Sequence, residues 1–349
     1  MTYQRDYDGK LRVGLVGVGS HAYRNILPAL HYLPVTLVAL CDQNEAALQR
    51  TAREYGVEAT FTQTTRMYAE MELDAVLICV GPQQHPRLAI EAMQAGLHVW
   101  LEKPPAMRAA EVEAMIAERG DRICMVGFKK AAMPAARKAQ ELLSLPEFGA
   151  LRSILAVYPM TMPADGVETL DSGKFTNWLA NGCHPLSIML ALGGRVEHVT
   201  TLLGPGVEAV GTVQLQFANG AVGVFYLAGG TPQGCPIERY DIFGTNHVIS
   251  IENTARVVYH RGIPFHYNTQ RDFTAPGTDS GSVVWETSNM LATLENKALF
   301  MQGFVDELQD FCGAVLDDQP ARSGDLEFAL HLMRVYEAAL VSRGQAVTL

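Results

Sequence analysis

The chain lacks an excess of basic residues: 27 Lys and Arg against 37 Asp and Glu give a formal net charge of −10 at pH 7. Nucleic-acid-binding proteins typically present a basic face, so this balance argues against that class. The six cysteines are scattered, with no C-x-x-C pair and no metal-ligand spacing, and we expect reduced thiols and no metal site. No apolar run approaches the length of a membrane span and the N-terminus has no hydrophobic signal region, which predicts a cytoplasmic protein.

The length of 349 residues suits two domains. Up to about Gly127, apolar strands alternate with segments of helical spacing, a pattern typical of an α/β doubly wound parallel sheet. Beyond it, strands separated by short turns indicate an α+β unit on a mostly antiparallel, open sheet, closed by helices at about Lys297–Leu316 and Leu326–Arg343. We therefore predict a Rossmann domain over residues 1–128 and a substrate-binding and oligomerisation domain over residues 129–349.

A glycine-rich turn follows the first predicted strand. Gly14, Gly17 and Gly19 have the G-x-x-G-x-G spacing, which lets backbone N–H groups approach a dinucleotide pyrophosphate at a helix N-terminus. Ser20 and His21 continue the turn and are predicted to take part in cofactor binding. Gly-rich turns also occur for structural reasons alone, so the triplet by itself is weak evidence.

Asp42 supplies the second half of the fingerprint. It ends a buried strand about 20 residues beyond the glycines, where a carboxylate accepts hydrogen bonds from the adenosine ribose. Because a carboxylate repels a 2′-phosphate, NAD is favoured over NADP. The alternative is that Asp42 only caps the helix that begins near Glu45.

The tripeptide Glu102-Lys103-Pro104 follows the fifth predicted strand, at the edge of the sheet where ligands bind. A lysine at the mouth of a cleft can hydrogen-bond a substrate hydroxyl and stabilise the alkoxide that forms as hydride leaves. The alternative is a surface lysine in a turn stiffened by proline.

Taken together, these motifs resemble the glucose–fructose oxidoreductase/inositol dehydrogenase (Gfo/Idh/MocA) family. The resemblance rests on the glycine turn, Asp42, the Glu-Lys-Pro motif, Gly127-Phe128 with Pro134, a His-containing helix near residue 184, Glu307 to Phe311, and Pro320. It implies a nicotinamide-dependent oxidoreductase of sugars, sugar derivatives or cyclitols, in which a Rossmann domain is joined to an open sheet that often forms dimers or tetramers. We accordingly expect a homodimer or homotetramer.

The resemblance also assigns roles. Lys103 matches the lysine that contacts substrate and cofactor ribose, Glu102 matches its neighbour near the nicotinamide, and His184 matches a general base in a D-x-G-x-H-P-x-D helix. Ala180 and Ser187 occupy the two carboxylate positions of that motif. A carboxylate one turn before the histidine would orient the imidazole or stabilise its charged form, so His184 is predicted to be a weaker base.

Three explanations of this departure remain open. A neighbouring group can take over, the substrate can be unusual, or turnover can be lost while binding is kept. The candidates for a substitute group are Asn177, Asn181, Tyr158 and Asp165.

Further substrate-binding candidates lie near the predicted domain junction. Lys129 and Lys130 follow Gly127-Phe128, and either can contact a polar or anionic substrate group, although a solvated turn is an equal alternative. Tyr158, Asn177, Asn181 and Trp178 carry amides and aromatic faces that suit sugar rings, and Trp178 can equally belong to the core.

The sequence thus predicts an NAD-dependent dehydrogenase or ketoreductase of a sugar or cyclitol. Two alternatives remain: a nicotinamide- and sugar-binding sensor with reduced catalysis, and a glycosidase that uses tightly bound NAD.

Overall fold

The computed structural model describes residues 6–232, 234–263, 280–288, 296–317 and 323–349. Its N-terminal part is a six-stranded sheet with the order β3-β2-β1-β4-β5-β6, in which every neighbouring pair is parallel. The order reverses between β1 and β4, which places the ligand crevice at the carboxyl ends of these strands. The strands are β1 (Leu11–Val16), β2 (Val35–Cys41), β3 (Ala59–Phe61), β4 (Ala75–Ile78), β5 (His98–Glu102) and β6 (Cys124–Gly127).

Helices connect the successive strands of this sheet. The first helix is irregular: it consists of a π-helical turn (Ala22–Ile26), α1 (Leu27–Ala29) and a 3-10 turn (Leu30–Tyr32). Pro28 explains the irregularity, because it has no N–H to donate to the preceding turn. The other helices of this part are α2 (Glu45–Tyr55), α3 (Thr64–Glu70), α4 (His85–Gln94) and α5 (Ala109–Glu118).

The second sheet has nine strands in the order β16-β15-β14-β13-β7-β12-β11-β9-β17. All its pairs are antiparallel except β7 with β12. The strands are β7 (Ser153–Tyr158), β9 (Val196–Leu203), β11 (Gly211–Phe217), β12 (Val222–Leu227), β13 (Arg239–Phe243), β14 (His247–Glu252), β15 (Arg256–Arg261), β16 (Gly281–Glu286) and β17 (Val347–Thr348); β8 (Met162–Pro163) and β10 (Glu208–Ala209) pair separately. The predicted fold class, a parallel Rossmann sheet followed by a mostly antiparallel one, is confirmed.

Seven further helices belong to the second part of the chain. They are α6 (Lys129–Ala132), α7 (Pro134–Leu143), α8 (Gly166–Ser172), α9 (Asn177–Gly193), α10 (Lys297–Met301), α11 (Phe304–Leu316) and α12 (Leu326–Val341), counted over the described ranges. Among the described residues, no helix combines the length and apolar character needed to cross a lipid bilayer.

Gly303 divides the helix predicted over Lys297–Leu316 into α10 and α11. Its φ of 85° is in the left-handed region, and a Cβ built on it would lie 2.1 Å from the carbonyl oxygen of Lys129. Only glycine permits this combination of turn and close backbone approach. The prediction of one continuous helix was therefore wrong.

The chain returns to the N-terminal sheet after Gly303. Phe304, Leu308 and Phe311 of α11 are buried in one apolar core with Val13 and Trp100 of the parallel sheet. Residues beyond position 128 thus contribute to the N-terminal core, and the division at residues 128 and 129 stays a prediction.

We expect Gly303→Ala to destabilise the protein more than Gly96→Ala. Gly96 also has a positive φ, 86°, but no atom lies within 4 Å of the point that its Cβ would occupy. Gly96→Ala should lower the free energy of unfolding by about 1–2 kcal/mol, the usual left-handed penalty, and Gly303→Ala by roughly a further 1–3 kcal/mol from overpacking. Urea denaturation of both variants measures the difference, and equal losses would contradict the packing explanation.

Candidate functional site

The glycine turn connects β1 to the first helix, and its three glycines have different surroundings. Gly17 has a φ of 89°, and a Cβ on it would lie 2.3 Å from the carbonyl oxygen of Cys79. A Cβ on Gly14 would contact Met67 at 3.1 Å, whereas Gly19 has no atom within 4 Å of that position. Gly17 therefore makes the turn, Gly14 allows packing, and Gly19 leaves open space where a pyrophosphate can approach the backbone.

Asp42 lies directly after β2 and braces this turn. One carboxylate oxygen accepts a 2.8 Å hydrogen bond from the N–H of Val18, and the other accepts one of 2.8 Å from Asn44. The cap of α2 is Asn44, whose side chain accepts from the N–H of Ala47 at 3.0 Å. The alternative role of Asp42 as the helix cap is therefore wrong. The open space at Gly19 and the acid at the end of β2 fit a dinucleotide.

Glu102 and Lys103 stand at the end of β5, next to the first helix. Oε1 of Glu102 lies 2.6 Å from Nε2 of His21, and Oε2 accepts a 3.0 Å hydrogen bond from the Lys103 N–H. The Lys103–Pro104 peptide bond is cis. His21 thus connects the glycine turn with the Glu-Lys-Pro motif, whereas Ser20 is exposed at the start of the first helix.

His184 lies in α9, opposite Lys103. The ammonium of Lys103 donates a 3.1 Å hydrogen bond to the carbonyl oxygen of Ala180, one turn before His184. Burial, followed by the positive charges of Lys103 and Lys129, holds the pKa of His184 well below its usual range. The imidazole is therefore neutral near pH 7 and able to accept a proton.

Ala180 and Ser187 occupy the two positions at which the family motif has carboxylates, and each makes a different contact. Ala180 contributes only its backbone carbonyl, to Lys103. Ser187 is buried, and its hydroxyl donates a 2.8 Å hydrogen bond to the carbonyl oxygen of His184. Neither position provides the imidazole of His184 with a charged partner.

Of the suggested substitute groups, only Tyr158 is placed against the histidine. Its ring centroid lies 6.4 Å from that of His184, and burial raises the pKa of the phenol. Asp165 caps α8 and forms a 3.0 Å ion pair with Arg343. Asn177 and Asn181 hydrogen-bond each other.

A cavity of about 360 Å³ lies between the glycine turn, β5, α9 and the α10–α11 segment. Its volume is within the range of roughly 300–1,000 Å³ typical of small-molecule sites. It brings together side chains that are far apart in the sequence. The lining residues are His21, Asn25, Glu102, Lys103, Gly127, Lys129, His184, Ala298, Leu299, Gln302 and Phe304.

Lys129 reaches this cavity. Its ammonium donates a 3.0 Å hydrogen bond to the side-chain oxygen of Gln302 and lies 4.0 Å from the centroid of the Phe304 ring, a cation–π contact. Burial and the neighbouring Lys130 lower the pKa of Lys129 to about 8. Most of its population is protonated at pH 7.

Five of the predicted substrate contacts are not among the residues that line the cavity: Lys130, Trp178, Tyr158, Asn177 and Asn181. Lys130 is buried, and its ammonium bonds both carboxylate oxygens of Glu238, at 2.7 and 2.9 Å. Trp178 is fully buried, stacks on Phe225 and Tyr336, and donates a hydrogen bond to the carbonyl oxygen of Tyr336. Neither side chain lines the cavity.

Sequence reasoning gave no role to several residues of this region. Asn25, Gln302 and Phe304 line the cavity without belonging to a recognised motif. Glu307 is buried, and neither of its carboxylate oxygens has a hydrogen-bond partner among the described residues. Burial, followed by the charge of Glu102, raises the pKa of Glu307 well above its usual range. Glu307 entered the sequence-based prediction only as part of the family resemblance. Nothing in the sequence indicated that its carboxyl group is buried and has a raised pKa.

Two family models match most of the chain. Residues 11–128 match the oxidoreductase family with an NAD-binding Rossmann fold, and residues 136–250 match the GFO/IDH/MocA C-terminal domain. The chain belongs to the Gfo/Idh/MocA family. Membership confirms the predicted enzyme class, an NAD(P)-dependent dehydrogenase or reductase that acts on CH–OH groups.

Individual relatives of this Gfo/Idh/MocA protein are distant. Myo-inositol 2-dehydrogenase of Thermotoga maritima is 25% identical over 256 residues, which cover 70% of this chain and 75% of that protein. A glycosyl hydrolase family 109 protein of Shewanella baltica is 29% identical over only 127 residues, 33% of this chain and 28% of that protein. The structure of an Agrobacterium radiobacter oxidoreductase in complex with NAD+, L-tartaric acid and magnesium has a TM-score of 0.80, with 20% identity and coverage of 97% and 98%.

The low pKa of His184 predicts a loss of stability in acid. The unfolded chain protonates this histidine near pH 6.5, whereas the folded protein keeps it neutral, so the unfolded state binds more protons below that pH. Stability is fully present above about pH 6.5 and falls as the pH decreases below it. NMR titration of the imidazole, assigned with His184→Gln, should give a midpoint clearly below 6.5, and a midpoint at or above that value would contradict the structure.

Proposed function

We propose that this protein is an NAD-dependent dehydrogenase or ketoreductase that acts on a hydroxyl or keto carbon of a sugar, sugar derivative or cyclitol. The observation that carries the proposal is the convergence of Lys103 and a neutral His184 on one cavity beside the glycine turn. One side chain stabilises negative charge on oxygen, and the other accepts a proton.

The chain offers a complete set of groups for the cofactor. Gly17 and Gly19 would hold the pyrophosphate, Asp42 would bind the adenosine ribose, and Glu102 and Lys103 would adjoin the nicotinamide. Ser20 and His21 complete the set at the start of the first helix. The bound nicotinamide supplies the acceptor for a hydride.

The side chains of the cavity handle the remaining chemistry of alcohol oxidation. His184 takes the hydroxyl proton because its imidazole is neutral and the residue lines the cavity. Lys103 stabilises the developing alkoxide with its ammonium, which the Ala180 carbonyl holds in place. In the reductive direction, the same groups return the proton to the carbonyl oxygen.

One observation favours a second candidate, a sensor that binds nicotinamide and sugar with little turnover. Both carboxylate positions of the motif are filled by Ala180 and Ser187, neither of which assists His184. In that case the cavity binds its ligands and the oxidation step is slow.

Assembly of a homodimer or homotetramer is also proposed. Leu155, Val222, Tyr226 and Phe243 are exposed apolar residues on neighbouring strands of the nine-stranded sheet. Their registers place them on one face, which suits pairing of subunits. The cytoplasmic location stays a prediction.

The proposal predicts that turnover depends on His184 and Lys103. Reduction of NAD is followed by absorbance with aldoses, sugar acids, amino sugars and inositols. His184→Ala should lower kcat by about 10²- to 10⁴-fold and Lys103→Met by about 10²- to 10³-fold, and each should lower turnover more than NAD affinity.

The matched control is His260→Ala, because His260 is exposed on β15, outside the residues that line the cavity. Unchanged turnover in His184→Ala would remove the assignment of the base. Cofactor binding without oxidation of any compound would favour the sensor instead.

A separate prediction concerns the choice of cofactor. Asp42→Asn keeps an oxygen acceptor for the Val18 N–H but removes the negative charge, so the preference for NAD over NADP should fall by about tenfold. Calorimetric titration of both cofactors measures the ratio of dissociation constants, with Asp8→Asn at an exposed position as control. An unchanged ratio would show that Asp42 does not select the cofactor.

A further inference from the structure

The wall of the cavity holds two ammonium groups close to the proposed base. Lys103 and Lys129 both line it together with His184. Each ammonium has a neutral hydrogen-bond partner: the backbone carbonyl of Ala180 for Lys103, and the side-chain amide of Gln302 for Lys129. Among the described residues, neither forms an ion pair. The wall thus carries two ammonium groups and one carboxylate, that of Glu102, so positive charge is in excess.

The nearby acids have other hydrogen-bond partners or a raised pKa. Glu102 accepts hydrogen bonds from His21 and from the Lys103 N–H. Glu238 is held by Lys130 and by the hydroxyl of Tyr240. For Glu307, burial and the proximity of Glu102 disfavour the charged form and raise the pKa.

The two lysines disfavour positive charge on each other and on His184. Burial and like charges lower the pKa of Lys129 to about 8, and the same lysines disfavour protonation of His184. A partly buried charge is costly until an opposite charge or a polar ligand compensates it. An anion in the cavity would relieve both effects.

We propose that the substrate is a hydroxy acid, a polyol or sugar bearing a carboxylate, and that Lys129 binds this carboxylate while Lys103 and His184 face the reacting hydroxyl. The inference rests on the proposed function and names its substrate class. A carboxylate suits a single lysine, because no arginine lines the described part of the cavity to form the forked contacts that phosphate groups often receive.

The bound carboxylate also compensates for the motif carboxylate that Ala180 does not supply. Its negative charge offsets the field of Lys129 and Lys103 at His184, so the imidazole becomes a better proton acceptor when substrate is present. The substrate itself thus provides the charge that the protein lacks at position 180. Lys129 determines specificity through the charge that it presents to the ligand.

The experiment compares acids with neutral partners that differ only in the carboxylate. Calorimetry, with and without NAD, measures the binding of gluconate against sorbitol, glucuronate against glucose, and galacturonate against galactose. At least one acid should bind about 10- to 100-fold more tightly than its neutral partner, the gain expected of a charge-assisted hydrogen bond. Glucose 6-phosphate tests the other common anion.

Variants of Lys129 identify the source of this preference. Lys129→Met should remove the preference for the acid while leaving the affinity for the neutral partner within about twofold, and Lys129→Arg should restore most of it. Lys174→Met, at an exposed lysine in the turn before α9, should behave as wild type. NMR titration of His184 should show its pKa rising when the acid is bound.

Several results would overturn the inference. They are equal binding of acids and neutral partners throughout the panel, tighter binding of the phosphate ester than of every carboxylate, and a preference that survives in Lys129→Met. If neutral sugars were oxidised with NAD and the Lys129 variants made no difference, the dehydrogenase function would stand and only the substrate class would be wrong. If NAD itself did not bind, the proposed function would fail independently of the acid titrations.

Discussion

The close contact between Gly303 and the carbonyl of Lys129 holds together the two segments on which the cavity depends. One segment leaves the last strand of the parallel sheet at Gly127, and the other returns from the second sheet through α10. Because Gly303 has no side chain, the backbones meet, and Gln302 and Phe304 are brought against the ammonium of Lys129. The cavity wall is thus shared by the two parts of the chain.

Electrostatics gives this cavity its chemical character. A parallel sheet buried on both faces leaves its functional groups in a medium where charge is expensive unless it is paired. The chain pairs some of these charges, as in Lys130 with Glu238, and disfavours the charged form of others by burial, which raises the pKa of Glu307. The cavity is lined by a neutral base, two cations and the Glu102 carboxylate, an environment matched to an anionic or strongly polar ligand rather than to an apolar one.

Local patterns in the sequence predicted the part of the fold that local physics determines. The turn at Gly17, the acid after β2 and the alternation of the parallel sheet each depend on neighbouring residues, and the structure agrees with them. The break at Gly303 and the roles of Lys130 and Trp178 could not be predicted from local patterns, because they depend on residues far away in the sequence. Lys130 is engaged by Glu238, 108 positions away, and Trp178 stacks on residues of β12 and α12.

The hydrogen bond between Lys103 and the carbonyl of Ala180 has a consequence for how this site can vary. A backbone carbonyl is present whatever side chain occupies the position, so the anchor of the lysine does not constrain residue 180. That position is free to change while the ammonium keeps its place, provided that α9 is maintained. A single substitution at position 180 can therefore add or remove an acid beside the histidine. The charge near the base, and with it the preferred substrate, can change while the position of Lys103 is kept.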